Sequence, residues 1–121
     1  MPRKIRTHEQ LTKSFLIPTL RRASLRWYAR NQAYKDARLV RGVYICAGCK
    51  EQVGRKEIIV DHINPVVPVD KGFTNWHDYI IRMFCEPAGF QILCNKCADK
   101  KTEEEDALRE RYADTKKKRS S

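Results

Sequence analysis

The segment "LCNKCADKKT" (residues 93–102) decides the fold, because it joins an apolar run to a cysteine pair and then to a polar stretch. Cys94 and Cys97 form a C-x2-C pair here, and Cys46 and Cys49 form another one upstream. Two such pairs, in a chain with an odd count of five cysteines, favour a tetrahedral zinc site over disulfides. A redox pair or free core thiols are the alternatives.

The gap between the two cysteine pairs is longer than in an ordinary zinc ribbon, so a substantial element must lie between them. "IIV" (residues 58–60) is a short β-prone run that ends at Asp61 and His62. Pro65 and Pro68 exclude a long strand or helix directly beyond it. We therefore expect a short strand that carries Asp61 and His62 at its end.

The rest of this gap predicts a helix and a second strand. "TNWHDYIIRMF" (residues 74–84) has apolar residues at helical spacing, which indicates an amphipathic helix on the core. "GFQIL" (residues 89–93) then predicts a strand that delivers Cys94. The polar helix that follows begins either at the cysteine pair or at the capping box Thr102-x-x-Glu105, and the sequence allows both.

The charge of the chain is strongly positive and uneven. The formal net charge is +10, and only Glu9 and Asp36 are acidic before residue 45. The basic residues of the same segment are Arg3, Lys4, Arg6, Lys13, Arg21, Arg22, Arg26, Arg30, Lys35, Arg38 and Arg41. This concentration indicates a polyanionic partner, although charge alone does not separate DNA, RNA and anionic membrane.

The basic N-terminal segment also has a helical pattern. A capping box at residues 7–10 predicts a short helix that ends before Pro18. A second helix is predicted from Thr19 to Gly42, and it places Arg22, Arg26 and Arg30 on one face as candidate phosphate contacts. The alternative is that these arginines are simply solvated.

No apolar run approaches the roughly 20 residues that span a bilayer, and the polar start does not resemble a signal peptide. We therefore expect no membrane partner and an intracellular location.

The pair Asp61-His62 is the main candidate for chemistry. A histidine with a pKa near neutrality can take a proton from water, and a neighbouring carboxylate can hold a hard divalent ion. Phosphodiester hydrolysis requires both functions. The alternative is a hydrogen-bonded structural pair.

Together these motifs resemble the HNH endonucleases, in particular the small bacteriophage-type members. The resemblance covers most of the chain, because "CAGC", "VDHINPVVPV", "FTNWHDYIIRMF", "GFQILCNKC" and "KKT" follow in family order after basic N-terminal helices. It implies an α+β fold with a zinc-stapled ββα-metal core. The expected organisation is a basic helical region at residues 1–42, the HNH core at residues 43–114 and a basic tail at residues 115–121.

The resemblance also implies roles for single residues. His62 matches the general base, and Asp61 matches a ligand of the catalytic divalent ion, which would be Mg²⁺, Mn²⁺ or Ni²⁺. The four structural zinc ligands would be Cys46, Cys49, Cys94 and Cys97. The implied partner is DNA in the host cytoplasm, with phage terminase or packaging subunits as further candidates.

Two positions depart from the family pattern. Gly89 stands where the middle asparagine of the motif is usual, and Ala98 stands where a histidine ligand of the catalytic metal is usual. Ala98 is either a natural variant or a deliberate inactivating substitution. Three functions therefore remain open: a metal-dependent DNA endonuclease impaired at Ala98, a non-catalytic zinc-stapled DNA-binding module, and an accessory subunit of phage DNA packaging.

Overall fold

The computed structural model describes residues 5–120, with side chains described for residues 5–115. It is an α+β structure of four helices and two small antiparallel sheets. The helices are α1 (His8–Ser24), α2 (Tyr28–Ala37), α3 (Trp76–Met83) and α4 (Asn95–Ser120). The strands are β1 (Arg38–Val40), β2 (Val43–Ile45), β3 (Gln52–Gly54), β4 (Ile58–His62) and β5 (Phe90–Cys94). None of the helices within the described range is both long enough and apolar enough to cross a membrane.

The N-terminal region differs from the prediction. The capping box at Thr7 starts α1 as expected, but α1 continues through Pro18 to Ser24. The prediction that the helix ends before Pro18 is therefore wrong. The residue before a proline is biased against helical geometry but not excluded from it, and Pro18 removes one backbone donor without ending the helix.

The prediction of a second helix from Thr19 to Gly42 is also wrong, because the helical conformation is interrupted between Ser24, where α1 ends, and Tyr28, where α2 begins. Trp27 lies in this break, and its Nε1–H donates to the backbone carbonyl of Cys85 at 2.6 Å. Trp27 and Cys85 are 58 residues apart, so the local sequence around Trp27 does not predict this hydrogen bond or the helix end that accompanies it. The chain then leaves α2 directly into β1, and Gly42, at φ +80°, forms the turn to β2. The expected domain boundary at residue 42 thus falls inside a β-hairpin.

The hairpin of β4 and β5 is the centre of the molecule. The two strands pair antiparallel, with Ile58 opposite Cys94 and His62 opposite Phe90. The structure confirms the two predicted strands, at residues 58–60 and 89–93, and the predicted amphipathic helix at residues 74–84. Each observed end lies within two residues of the predicted one. Asn75 caps α3 by accepting from the backbone N–H of Asp78.

Side chains alternate between the two faces of the hairpin along each strand, so each face has its own set of apolar residues. A helix packs on each of these faces. On one face, Ala29 and Ala33 of α2 form a buried cluster with Ile58, Phe90 and Ile92. On the other face, Ala98 of α4 packs with Leu93 and Cys46 in a second cluster.

The start of α4 resolves the alternative that the sequence left open. The helix begins at Asn95, between the two cysteines of the second pair, and not at Thr102. It continues to Ser120, so the backbone of the basic segment from residue 115 prolongs the helix. The side chains of residues 116–121, which include most of the predicted basic tail, lie outside the described residues.

Candidate functional site

Four cysteine sulfurs form a cluster at one end of the hairpin. Cys46 and Cys49 come from the turn after β2, Cys94 ends β5, and Cys97 lies in the first turn of α4. All four Sγ atoms lie within 4.8 Å of one another. Such a compact set of four thiols fits a tetrahedral ion with Zn–S bonds of about 2.3 Å. The chain therefore has a cluster that can hold a structural metal ion such as zinc, as the spacing predicts.

Backbone N–H groups stabilise negative charge on one sulfur of this cluster, Cys46 Sγ. The backbone N–H of Cys94 donates to Cys46 Sγ at 3.3 Å. Burial raises the pKa of the Cys46 thiol, but the N–H groups around it outweigh this effect and lower the pKa to about 6. Side-chain hydrogen bonds with Cys94 and Cys46 raise the pKa of Cys97 to about 12, and burial and the charge of Cys46 add to this effect. A bound cation would stabilise the thiolates and allow all four thiols to ionise.

Gly48 is fitted closely to the cluster. A Cβ atom at this position would lie 3.0 Å from the Sγ of Cys97 and 3.1 Å from its Cβ. Glycine thus allows the first cysteine turn to approach the second one.

Asp61 and His62 end β4 and belong to opposite faces of the hairpin, because adjacent residues of a strand alternate. The imidazole of His62 is half-buried and packs against the ring of Phe90, with centroids 4.6 Å apart. Its Nε2 lies 2.9 Å from the backbone carbonyl oxygen of Met83. A carbonyl only accepts, so Nε2 carries the proton and Nδ1 of the neutral ring holds the free lone pair.

The environment keeps His62 in its neutral form. Burial lowers the pKa of the imidazole, and this effect exceeds the opposing effect of the bond to Met83; the positive charge of Arg30 lowers the pKa further. A neutral imidazole with a fixed tautomer is what a general base requires at neutral pH.

Met83 and Gly89 bear on one departure from the predicted motif. The resemblance leaves open which group would orient His62 when Gly89 stands in the place of an asparagine, and the described hydrogen bond of the His62 ring is with the carbonyl of Met83. A Cβ at Gly89 would lie 2.6 Å from Cys85 Sγ, so a larger residue would not fit without a shift. Cys85 itself is partly buried against the core cluster, and burial raises the pKa of its thiol.

Asp61 lies on the face that α4 covers, and both of its described partners contact the same oxygen. Lys101 Nζ is 2.9 Å from Asp61 Oδ2, and Gln91 Nε2 donates to this atom at 2.9 Å. Lys101 also contacts Glu105 Oε1 at 2.7 Å. Burial lowers the pKa of Lys101, but the bonds to Glu105 and Asp61 outweigh it and raise the pKa above its usual value. Lys101 is therefore a fixed positive charge at Asp61.

Ala98 is a packing residue of the core in this structure. Ala98 is 8% exposed and packs with Leu93 and Cys46, on the same face of the hairpin as Asp61 and one helical turn before Lys101. Its methyl group offers no lone pair. With an ammonium against Asp61 and no lone pair at Ala98, the described side chains do not form a ready site for a divalent ion at Asp61.

An open pocket of about 660 Å³ lies beside His62. Asp61 and Glu105 also line it, and so do three arginines from separate helices, Arg21, Arg30 and Arg109. The guanidinium of Arg30 lies over the ring of Phe90 at 5.3 Å, and burial lowers its pKa. The pocket therefore combines a neutral imidazole with several positive charges.

Only part of the predicted arginine set contributes to this pocket. Arg30 lines it, whereas Arg22 and Arg26 are exposed and are not among its lining residues. The break after α1 separates the three positions, so the expected continuous stripe on one helix does not form. Sequence reasoning missed Arg21 and Arg109, because residues so far apart in the chain come to line one pocket only in the folded structure.

Comparisons with protein-family models, curated proteins and solved structures find no match. The functional argument therefore depends on the residues themselves.

Proposed function

We propose that this chain is a divalent-metal-dependent DNA endonuclease of the HNH type, in which His62 is the general base and hydrolysis is impaired at Ala98. The observation that carries the proposal is the bond from His62 Nε2 to the carbonyl of Met83, since it leaves Nδ1 as the acceptor of a ring that lines a pocket with three arginines. The resemblance of the motifs and their order supports the same function.

The proposed chemistry uses the groups of the pocket. Arg21 and Arg30 would bind phosphate oxygens and place the DNA backbone against His62. Nδ1 of His62 would then take a proton from the attacking water, whose oxygen would bond to phosphorus. The bond from phosphorus to the 3′ oxygen would break, and solvent water would protonate the departing oxygen. The cluster of four cysteines would hold a structural zinc ion that fixes β5 and the start of α4, which carry the residues that pack around Asp61.

Ala98 removes one preorganised polar group from the face of Asp61. The loss of one such group typically costs about 10²- to 10³-fold in rate. We therefore expect the native chain to bind DNA and to cut it slowly or not at all.

A plasmid nicking assay tests this function. The native protein and Ala98→His are compared with supercoiled DNA under Mg²⁺ or Mn²⁺, with EDTA as the control. We expect Ala98→His to cut at least about 10²-fold faster, and His62→Ala in that background to abolish cutting. His77→Ala is the matched control, because His77 is exposed on α3 and does not line the pocket.

The introduced histidine enters a nearly buried position, so zinc content and thermal unfolding are measured for each variant. A folded, zinc-loaded Ala98→His protein that cuts no DNA would contradict the endonuclease proposal. Cutting that survives His62→Ala would contradict the role of His62.

A non-catalytic DNA-binding module is the second candidate. It is favoured by Lys101, whose ammonium already neutralises Asp61. In this case the native chain and Ala98→His would both bind DNA, and neither would cut it. The accessory role in phage DNA packaging stays a prediction that no described contact bears on.

A further inference from the structure

The ammonium of Lys101 contacts three oxygen atoms, two from the end of β4 and one from α4. Nζ lies 2.9 Å from Asp61 Oδ2, 2.7 Å from Glu105 Oε1 and 2.8 Å from the backbone carbonyl of His62. An ammonium has three donors, and these three oxygens match them in number. The side chains of Lys101, Asp61 and Glu105 are between 20% and 23% exposed, so the contacts are partly shielded from water.

These oxygens are also the ligand types that a hard divalent cation prefers, because two belong to carboxylates and one to a carbonyl. Both carboxylate oxygens lie within 2.9 Å of one atom, so a cation at that atom's place would meet both. Without Lys101, Asp61 would lose its ammonium partner, and Glu105 would keep only the guanidinium of Arg109, 4.0 Å from its Oε2.

We propose that Lys101 is a built-in cation that excludes divalent ions from a second metal site, formed by Asp61, Glu105 and the carbonyl of His62. The resemblance names Asp61 and position 98 as the places to look for ligands, with Asp99, Thr102 or Glu105 as nearby oxygens that could replace the missing one. In the structure, Asp61 and Glu105 meet at the ammonium of Lys101. The native chain therefore binds Mg²⁺ or Mn²⁺ weakly at Asp61, and removal of the ammonium creates a divalent-cation site.

The inference does not depend on the proposed nuclease function, because its test contains no nucleic acid. Free Mn²⁺ is followed by electron paramagnetic resonance during titration of the zinc-loaded full chain. Zinc stays on the four thiolates, since soft sulfur ligands do not favour Mn²⁺. The variants are Lys101→Met, which is neutral and of similar length, and Lys101→Arg, which keeps the charge.

We expect Lys101→Met to bind one Mn²⁺ at least about tenfold more tightly than the native chain, because a positive charge next to the ion has been removed. Lys101→Arg should retain the weak binding of the native chain. The double variant Lys101→Met/Glu105→Gln should lose the gain. Lys100→Met is the matched control, because Lys100 is exposed one residue away, and it should bind like the native chain.

Two results would overturn the proposal. If the native chain binds Mn²⁺ as tightly as Lys101→Met, then Lys101 does not exclude the ion. If neither Lys101→Met nor Lys101→Gln gains binding while zinc content and unfolding midpoint match the native protein, then the oxygens are not placed to hold a cation. The glutamine variant keeps the test decisive if methionine prevents folding.

Discussion

Loss of one thiolate from the cysteine cluster should destabilise the whole molecule. Only ten apolar residues are buried among those that the structure describes, and three of them, Cys46, Leu93 and Ala98, belong to the cluster at the cysteines. A domain with a core this small depends on additional constraints. Cys49 is the best position for the test, because its side chain is exposed and contributes little packing of its own.

The magnitude follows from the four-ligand geometry. A structural zinc site contributes about 10–16 kcal/mol, so one of four thiolates accounts for roughly 2.5–4 kcal/mol. At about 4 °C per kcal/mol for a domain of this size, the unfolding midpoint of Cys49→Ser should fall by about 10–16 °C. Excess chelator should cause a larger loss, since the full contribution of zinc is comparable to the typical stability of a domain, about 5–15 kcal/mol.

The assay combines metal analysis with thermal unfolding followed by circular dichroism. Native protein should contain one zinc ion per chain, and Cys49→Ser should contain less. Cys85→Ala is the control, because Cys85 lies outside the cluster and should leave the zinc content unchanged. A native chain that folds without zinc, or a Cys49→Ser variant with the native midpoint, would refute the reasoning.

Three further predictions concern the pocket and the hairpin. For Ala98→His, the cutting rate should fall as the pH drops through a His62 pKa that lies below the ordinary value of histidine, because burial lowers that pKa and protonation removes the base. A fall in rate that begins above the ordinary pKa of histidine would contradict this. Arg30→Met should weaken DNA binding, as measured by fluorescence anisotropy at several salt concentrations. The slope of the logarithm of the binding constant against the logarithm of the salt concentration should become shallower by about one. Gly89→Ala should lower the free energy of unfolding in urea by about 1–3 kcal/mol, because its Cβ would lie 2.6 Å from Cys85 Sγ. Adding Cys85→Ala to Gly89→Ala should recover much of this loss of stability. If the two substitutions have additive effects, the contact between the new Cβ and Cys85 Sγ is not the cause of the loss.

Local patterns predicted the parts of the fold that depend on near neighbours. Two C-x2-C pairs define a ligand set whatever the rest of the chain does, and the structure brings all four sulfurs together. The strand that ends at His62 and the helix α3 follow from residue type and periodicity.

The N-terminal helices were predicted less well, because tertiary contacts determine where they break. Trp27 lies between α1 and α2, where its indole donates to the Cys85 carbonyl and its ring packs edge-on against Phe84 at 5.5 Å. Helical spacing alone continues through this position. The break then directs Arg30 toward the pocket and leaves Arg26 exposed outside it.

The contacts that decide the chemistry of the site were the hardest to predict, because backbone atoms and long side chains supply them. Any residue at position 83 has a carbonyl, so no side chain marks Met83 as the partner of His62. Lys101 reaches Asp61 only because α4 starts at Asn95, a boundary that the sequence left open between two capping signals. With the later start at Thr102, Lys101 would lie outside the helix and lose its i, i+4 relation to Glu105. The start of one helix thus determines whether Asp61 faces an internal ammonium or is free to bind an ion from solution.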